Sequence, residues 1–167
     1  MTPELLIRLL ADLAVVPVVL LGAYALTFKI RKGNHFQAYA RILLAGLTAY
    51  MLAKFIGFIY QPSELRPFEL LGVEAGASFL DNPGFPSDHV LFVAAITLAV
   101  WFETRQKLIS AILVVLVGIV ALGRVLALVH SPLDIIGGLV IATIGALWYV
   151  QKPASLRTSH KRKQRAK

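Results

Sequence analysis

The chain has 167 residues, 57% of them hydrophobic and 16% charged, with a formal net charge of +8 and no cysteine. A soluble domain carries about 25% charged residues, so the composition excludes a water-soluble globule, and the lack of thiols excludes disulfides and thiolate metal sites. The length accommodates one helical bundle and no second domain.

A membrane-crossing helix needs about 20 mostly apolar residues. Runs of that kind are predicted in chain order at residues 5–28, 38–60, 89–102, 108–129 and 132–150. The expected fold is therefore all-α, a polytopic transmembrane bundle of about five spans over residues 1–150. The first span is too long for the apolar core of a signal peptide and is expected to be retained. The third is short for a full crossing and is expected to extend toward Lys107 or to begin below the interface. Residues 29–37 form a basic loop and 103–107 a tight polar turn. Residues 61–88 are the longest connection, rich in Pro, Gly and acidic side chains, with room for a short interfacial helix. Residues 151–167 lack apolar periodicity and are expected to be a disordered tail.

Lys and Arg collect on the cytoplasmic side of membrane proteins. Lys29, Arg31, Lys32, Arg41, Arg105, Lys107 and seven tail residues place thirteen of the 17 basic residues on one side. The N-terminus and the long connection are then expected outside, with the tail in the cytoplasm. There the tail would meet anionic lipid, each charge contributing about 1 kcal/mol near the surface. No aromatic residue is interleaved with its basic ones, so a nucleic-acid partner is not expected.

Four cations remain: Arg8, Lys54, Arg66 and Arg124. A charge at membrane depth is costly unless paired or functional. Arg8 has Glu4 and Asp12 at i±4 on one helix and is expected to be structural. The other three have no such local partner. His89 and His130 fall on the same side, at the starts of the third and fifth spans, whereas His35 and His160 lie in polar segments as ordinary surface residues. Cations around imidazoles suit an anion such as phosphate, whose oxygens match an Arg fork. The turn Gly84-Phe85-Pro86-Ser87-Asp88-His89, leading into a helix start, would add backbone N–H donors.

Plainer readings stand beside these. Ser131-Pro132-Leu133-Asp134 is a helix-start pattern in its own right, with Asp134 at the third helical position, and capping is compatible with a second role. Lys54 can snorkel to an interface, and Arg66 can pair with Glu64 or Glu69. Gly137-Gly138 reads as a close helix-packing point, and Trp101 and Trp148-Tyr149 as interfacial anchors.

The motifs in this order resemble those of the type 2 phosphatidic acid phosphatase superfamily, which is membrane-bound and metal-independent. Lys54 with Arg66-Pro67 matches the first motif, Pro86-Ser87-Asp88-His89 the second, and Gly123-Arg124, five residues, His130, three residues, Asp134 the third. The resemblance implies that His130 is a nucleophile forming a phosphohistidine and that Asp134 orients its ring. It implies that His89 protonates the leaving group and then activates water. Lys54, Arg66, Arg124 and Ser87 would bind the phosphate, and neither a metal nor another cofactor is implied.

Three positions depart from the pattern: the Lys54–Arg66 gap is wider, Gly123 stands where Ser is usual, and Asp88 stands for Gly. Phe85-Pro86-Ser87-Asp88-His89, with His130-Ser131-Pro132-Leu133-Asp134 downstream, is similar to the bacterial undecaprenyl-diphosphate phosphatase branch. That branch implies a polyprenyl diphosphate as substrate, hydrolysed at the outer face of the plasma membrane during recycling of the cell-wall lipid carrier. Phosphatidic acid or phosphatidylglycerol phosphate is the alternative substrate. A non-hydrolytic binder or transporter of anionic lipid is the alternative class, although no internal repeat of the kind transporters carry is present.

Overall fold

Many of the largest apolar side chains face outward, and alanines face inward beside a core of Val and Leu. Phe28, Phe36 and Phe58 are 71%, 87% and 87% exposed, whereas Ala11, Ala25, Ala38, Ala49 and Ala53 are buried. In water this order would be inverted. In a bilayer, helix association gains nothing from hiding Phe or Leu from lipid, and small residues let backbones approach.

The computed structural model describes residues 2–31, 33–80 and 84–150. The basic tail, with its expected disorder and its anionic-lipid contact, lies outside the described residues. The described residues are helical without strands: α1 (Pro3–Arg8), a π-turn (Leu9–Leu13) and α2 (Val15–Phe28) run as one rod, followed by α3 (His35–Ile59) and the short α4 (Pro67–Leu71). Then come α5 (Asp88–Thr104), α6 (Lys107–Leu126), α7 (Pro132–Gly145) and α8 (Leu147–Val150). Four stretches are long and apolar enough to cross a membrane: Pro3–Phe28, His35–Ile59, Lys107–Leu126 and Pro132–Val150. The chain is a multi-pass membrane protein with an all-helical bundle, as expected.

The third expected span is the exception in length. α5 has 17 residues, about 25 Å at 1.5 Å per residue, against a hydrocarbon core of about 30 Å. It is also the central helix, packed against α2, α3, α6 and α7. Val90, Val93 and Val100 on it are fully buried, so its length is matched to its neighbours more than to lipid.

α3 presents Ala38, Ala45, Ala49 and Ala53 to the interior, and α7 meets that stripe so closely that a Cβ on Gly145 would lie 2.6 Å from the Ala45 carbonyl oxygen. At the far end of α5, Glu103 takes both Nε and Nη2 of Arg41, at 2.7 and 2.6 Å. Trp148 donates its indole N–H to Thr48 Oγ1 at 2.9 Å, and Tyr149 stacks on Phe102. These two aromatic residues, expected as interfacial anchors, thus have partners within the bundle.

Residues 68–76 of the long connection bond to the end of α6. Phe68 N–H donates to the Leu128 carbonyl and Gly76 N–H to that of Ala127, both at 3.0 Å, and Phe68 packs on Phe79. The expected short helix of this loop is α4, which begins after Arg66 with Pro67 at its first position, where a missing N–H costs nothing.

Candidate active site

The starts of α5 and α7 lie side by side, and small residues put them there. A Cβ on Gly137 would lie 2.5 Å from the Phe85 ring, and one on Gly138 would lie 2.9 Å from the Ser87 carbonyl oxygen. The Gly137-Gly138 pair is therefore where α7 closes on the second motif, as a packing point. Ser87 N–H donates to the Asp134 carbonyl at 3.0 Å, which ties the second and third motifs together. Two helix N-termini consequently face one region, and each carries partial positive charge.

Between them opens a cavity of about 170 Å³ whose walls include Lys54, Arg66, Arg124, His130, Asp88 and Gly84. The three cations come from α3, the long loop and α6. A Cβ placed on Gly84 would touch Asp134 Oδ2, Arg66 Nη1 and His130 Nδ1 at 3.4, 3.8 and 3.8 Å. Third-motif and first-motif side chains therefore converge on the space that a side chain at Gly84 would fill.

The cations are held differently from the sequence expectation. Lys54 and Arg124 both have carboxylate partners, supplied by distant residues. Lys54 Nζ bonds both oxygens of Asp88 at 2.9 and 2.7 Å and lies over the Tyr50 ring. Its widened spacing from Arg66 is absorbed by the last turn of α3 and the loop, so it still reaches the cavity. Arg124, 1% exposed, donates from Nη1 to Asp12 Oδ1 at 3.0 Å and to the Ser78 carbonyl at 2.8 Å. Asp12 thus serves Arg124, and Arg8 forms no ion pair with Glu4 or Asp12 among the described residues. The π-turn rotates Asp12 off the face that a regular helix would share with Arg8.

Arg66 is buried, and its guanidinium donates to the carbonyls of Val129 at 2.6 Å and Leu80 at 3.1 Å. The Glu69 carboxylate accepts the backbone N–H of Arg66 at 2.6 Å instead of pairing with the guanidinium.

Asp134 does two things with one oxygen. Its Oδ2 accepts the Ser131 N–H at 2.7 Å, while Asp134 N–H donates to Ser131 Oγ at 3.3 Å, which makes a reciprocal cap. The same Oδ2 lies 3.5 Å from His130 Nδ1. At that distance Nδ1 has no hydrogen-bond partner, so the contact is electrostatic. His130 sits in the α6–α7 junction, 5% exposed. Burial, outweighing the Asp134 carboxylate, pushes its pKa below the ordinary value, with Arg124 and Arg66 acting in the same direction.

His89, in the first turn of α5, is half-buried and within electrostatic reach of Arg124, His130, Asp12 and Asp88. Ser87 is fully buried, and its hydroxyl neither caps α5 nor bonds any other group among the described residues. No group of three or more metal-ligating side chains occurs among the described residues.

Asp12, Ser78 and Gln61 were missed by sequence reasoning. Gln61 binds the Gly57 carbonyl, donates to that of Phe85 at 3.2 Å and accepts the Phe85 N–H at 3.4 Å, so it staples the second motif to the end of α3. A signal for Asp12 existed, a carboxylate inside an apolar span, but the helical i, i+4 rule assigned it to Arg8.

A cavity lined by three cations and a histidine, set in a bundle of apolar helices, is accompanied by a family match. The sequence model of the PAP2 superfamily matches residues 38–157. The chain belongs to that superfamily. YbjG of Escherichia coli strain K12, named provisionally as an undecaprenyl-diphosphatase, is 40% identical over 117 residues, which cover 66% of this chain and 54% of that protein. The undecaprenyl-diphosphatase BcrC of Bacillus subtilis strain 168 is 31% identical over 111 residues, covering 65% and 55%. The chain thus spans about half the length of these curated relatives. No solved structure matches it.

Proposed function

We propose that the protein is a lipid phosphatase that hydrolyses a polyprenyl diphosphate, with undecaprenyl diphosphate the favoured substrate, to the monophosphate and inorganic phosphate. The observation that carries this reading is the cavity in which a buried His130 meets Lys54, Arg66 and Arg124, with Asp134 beside its Nδ1. The names of the two relatives support the diphosphate as substrate.

In this mechanism the cations and the two helix starts hold the terminal phosphate. Asp134 keeps the proton on Nδ1, which leaves the Nε2 lone pair free, and a contraction of about 0.5 Å brings the pair into hydrogen-bond range. Nε2 attacks phosphorus, the bond from phosphorus to the bridging oxygen breaks, and His89 gives that oxygen its proton. A phosphohistidine and the lipid monophosphate result. Water then attacks the phosphohistidine, His89 takes its proton, and the P–N bond breaks to release phosphate. Arg66, Arg124 and Lys54 stabilise the charge that develops on the equatorial oxygens, with the Ser87 hydroxyl as a further donor. The positive-inside count supports a site that opens to the outer face of the plasma membrane, with the N-terminus outside.

The test is phosphate release from a polyprenyl diphosphate by purified protein in detergent, with EDTA present. Activity should survive EDTA, because the cations supply the charge compensation, and should disappear in His130→Ala. Binding of the lipid without release would favour the non-hydrolytic alternative. Preference for phosphatidic acid or phosphatidylglycerol phosphate would replace the substrate and keep the chemistry.

A further inference from the structure

The family match begins at residue 38, yet the residue that anchors Arg124 lies ahead of it. Asp12 sits in the π-turn Leu9–Leu13, where its Oδ1 accepts Arg124 Nη1 at 3.0 Å. Its Oδ2 accepts the backbone N–H of Ser78 at 3.0 Å and the Ser78 hydroxyl at 2.9 Å. Ser78 in turn accepts Arg124 Nη1 through its carbonyl at 2.8 Å. The three residues close a ring around one terminal nitrogen of the guanidinium. Nε of Arg124, also buried, donates to no group among the described residues. One terminal nitrogen is thus fixed by the protein, and the Nε donor remains for an oxygen from outside these residues.

Gly123 permits this arrangement. A Cβ at that position would lie 2.6 Å from Leu10 C, 2.6 Å from Ala11 N and 2.8 Å from Ala11 Cα. These are backbone atoms of the π-turn itself, which cannot yield as a flexible side chain would. A residue with a Cβ would drive the turn away from α6 and carry Asp12 off Arg124. The extra residue of a π-turn is a recurrent device for re-aiming side chains at functional sites.

Resting on the phosphatase reading, we propose that Asp12 is a positioning residue that aims Arg124 at the substrate phosphate, and that Gly123, where the family usually has Ser, is the packing position that admits it. The N-terminal helix is then part of the active-site machinery of this chain. It acts through Arg124 and touches no reacting atom.

The test is a double-mutant cycle on the full chain in detergent, using phosphate release and the thermal shift produced by orthovanadate. Asp12→Ala should lower kcat/KM on the order of 10- to 100-fold, the scale of a misplaced catalytic group, and should shrink the vanadate shift. In an Arg124→Ala background the same substitution should change little further. A removed carboxylate leaves a buried cation unpaired. If Asp12→Ala does not fold, Asp12→Asn, which keeps an oxygen for Nη1, takes its place in the cycle with a severalfold effect expected. Gly123→Ser, although it restores the usual residue, should lower kcat/KM and not raise it.

An Asp12 variant with wild-type turnover and vanadate shift overturns the proposal, as does an equal loss in the Arg124→Ala background, which would place the effect elsewhere. Wild-type activity in Gly123→Ser overturns the packing half. Wild-type protein that binds vanadate but releases no phosphate sinks the hydrolase reading alone, with Asp12 still decided by the vanadate shift. Protein that does neither sinks both.

Discussion

Helices α3 and α5 run antiparallel and carry an ion pair near each end. At one end Arg41 and Glu103 form a two-pronged bridge at 2.7 and 2.6 Å, with Glu103 buried. At the other, about 20 Å away along the helices, Lys54 and Asp88 form an equally short bridge whose side chains are 43% and 34% exposed. The chemistry of the two pairs is nearly the same. The difference is what adjoins them: Arg41, its side chain 25% exposed, pairs with a buried Glu103, whereas Lys54 and Asp88 line the cavity shared with His130, Arg66 and Arg124. A bridge with one partner buried and no cavity beside it holds helices together. A bridge with an open side leaves its cation available to exchange a carboxylate for a phosphate.

Substitutions at the two ends should therefore separate activity from stability. The largest effect belongs to the open end. Asp134→Asn keeps an oxygen for the Ser131 cap and so should keep the fold, yet it should lower turnover on the order of 10³- to 10⁴-fold through the His130 tautomer. A variant that loses only Tm would assign Asp134 to capping alone. Lys54→Ala should reduce kcat/KM roughly 10- to 100-fold with little change in Tm, because an exposed pair contributes at most about 1 kcal/mol.

Arg41→Ala should do the reverse. It leaves the buried Glu103 carboxylate unpaired and should cost about 2–4 kcal/mol of stability, while the folded fraction retains its kcat. Loss of kcat in folded Arg41→Ala would erase the distinction between the two ends.

The smallest effect is on pH dependence. Burial holds the folded-state pKa of His130 below its ordinary value of 6.5. The unfolded chain therefore takes up this proton first as pH falls, so the His130 contribution to stability is complete above about pH 6.5 and declines below it. Turnover should persist below pH 6.5 and be lost only as pH falls through the lowered folded value. A kinetic acid limb centred above 6.5 would show that the ring is not buried in the working enzyme.

Much of the bundle was legible from residue order alone. Span-length apolar runs have no alternative in water or lipid, because every backbone N–H and C=O in hydrocarbon must be bonded within its own segment. That logic placed all five long helices to within a few residues. The motif spacing likewise placed Arg124, His130 and Asp134 near one another, since each lies within a turn or two of the α6–α7 junction.

The partners of the cations were settled only by tertiary structure. Asp12 lies 112 residues from Arg124 and Asp88 lies 34 from Lys54, and no local periodicity connects either pair. Local rules even pointed the wrong way for Asp12, because they assume a regular 3.6-residue turn that the π-turn breaks. Helix formation is a property of neighbouring residues, whereas the neutralisation of a buried charge depends on which surfaces pack together. Here that choice rests on glycines at 123, 137 and 138, whose missing Cβ atoms let backbones meet.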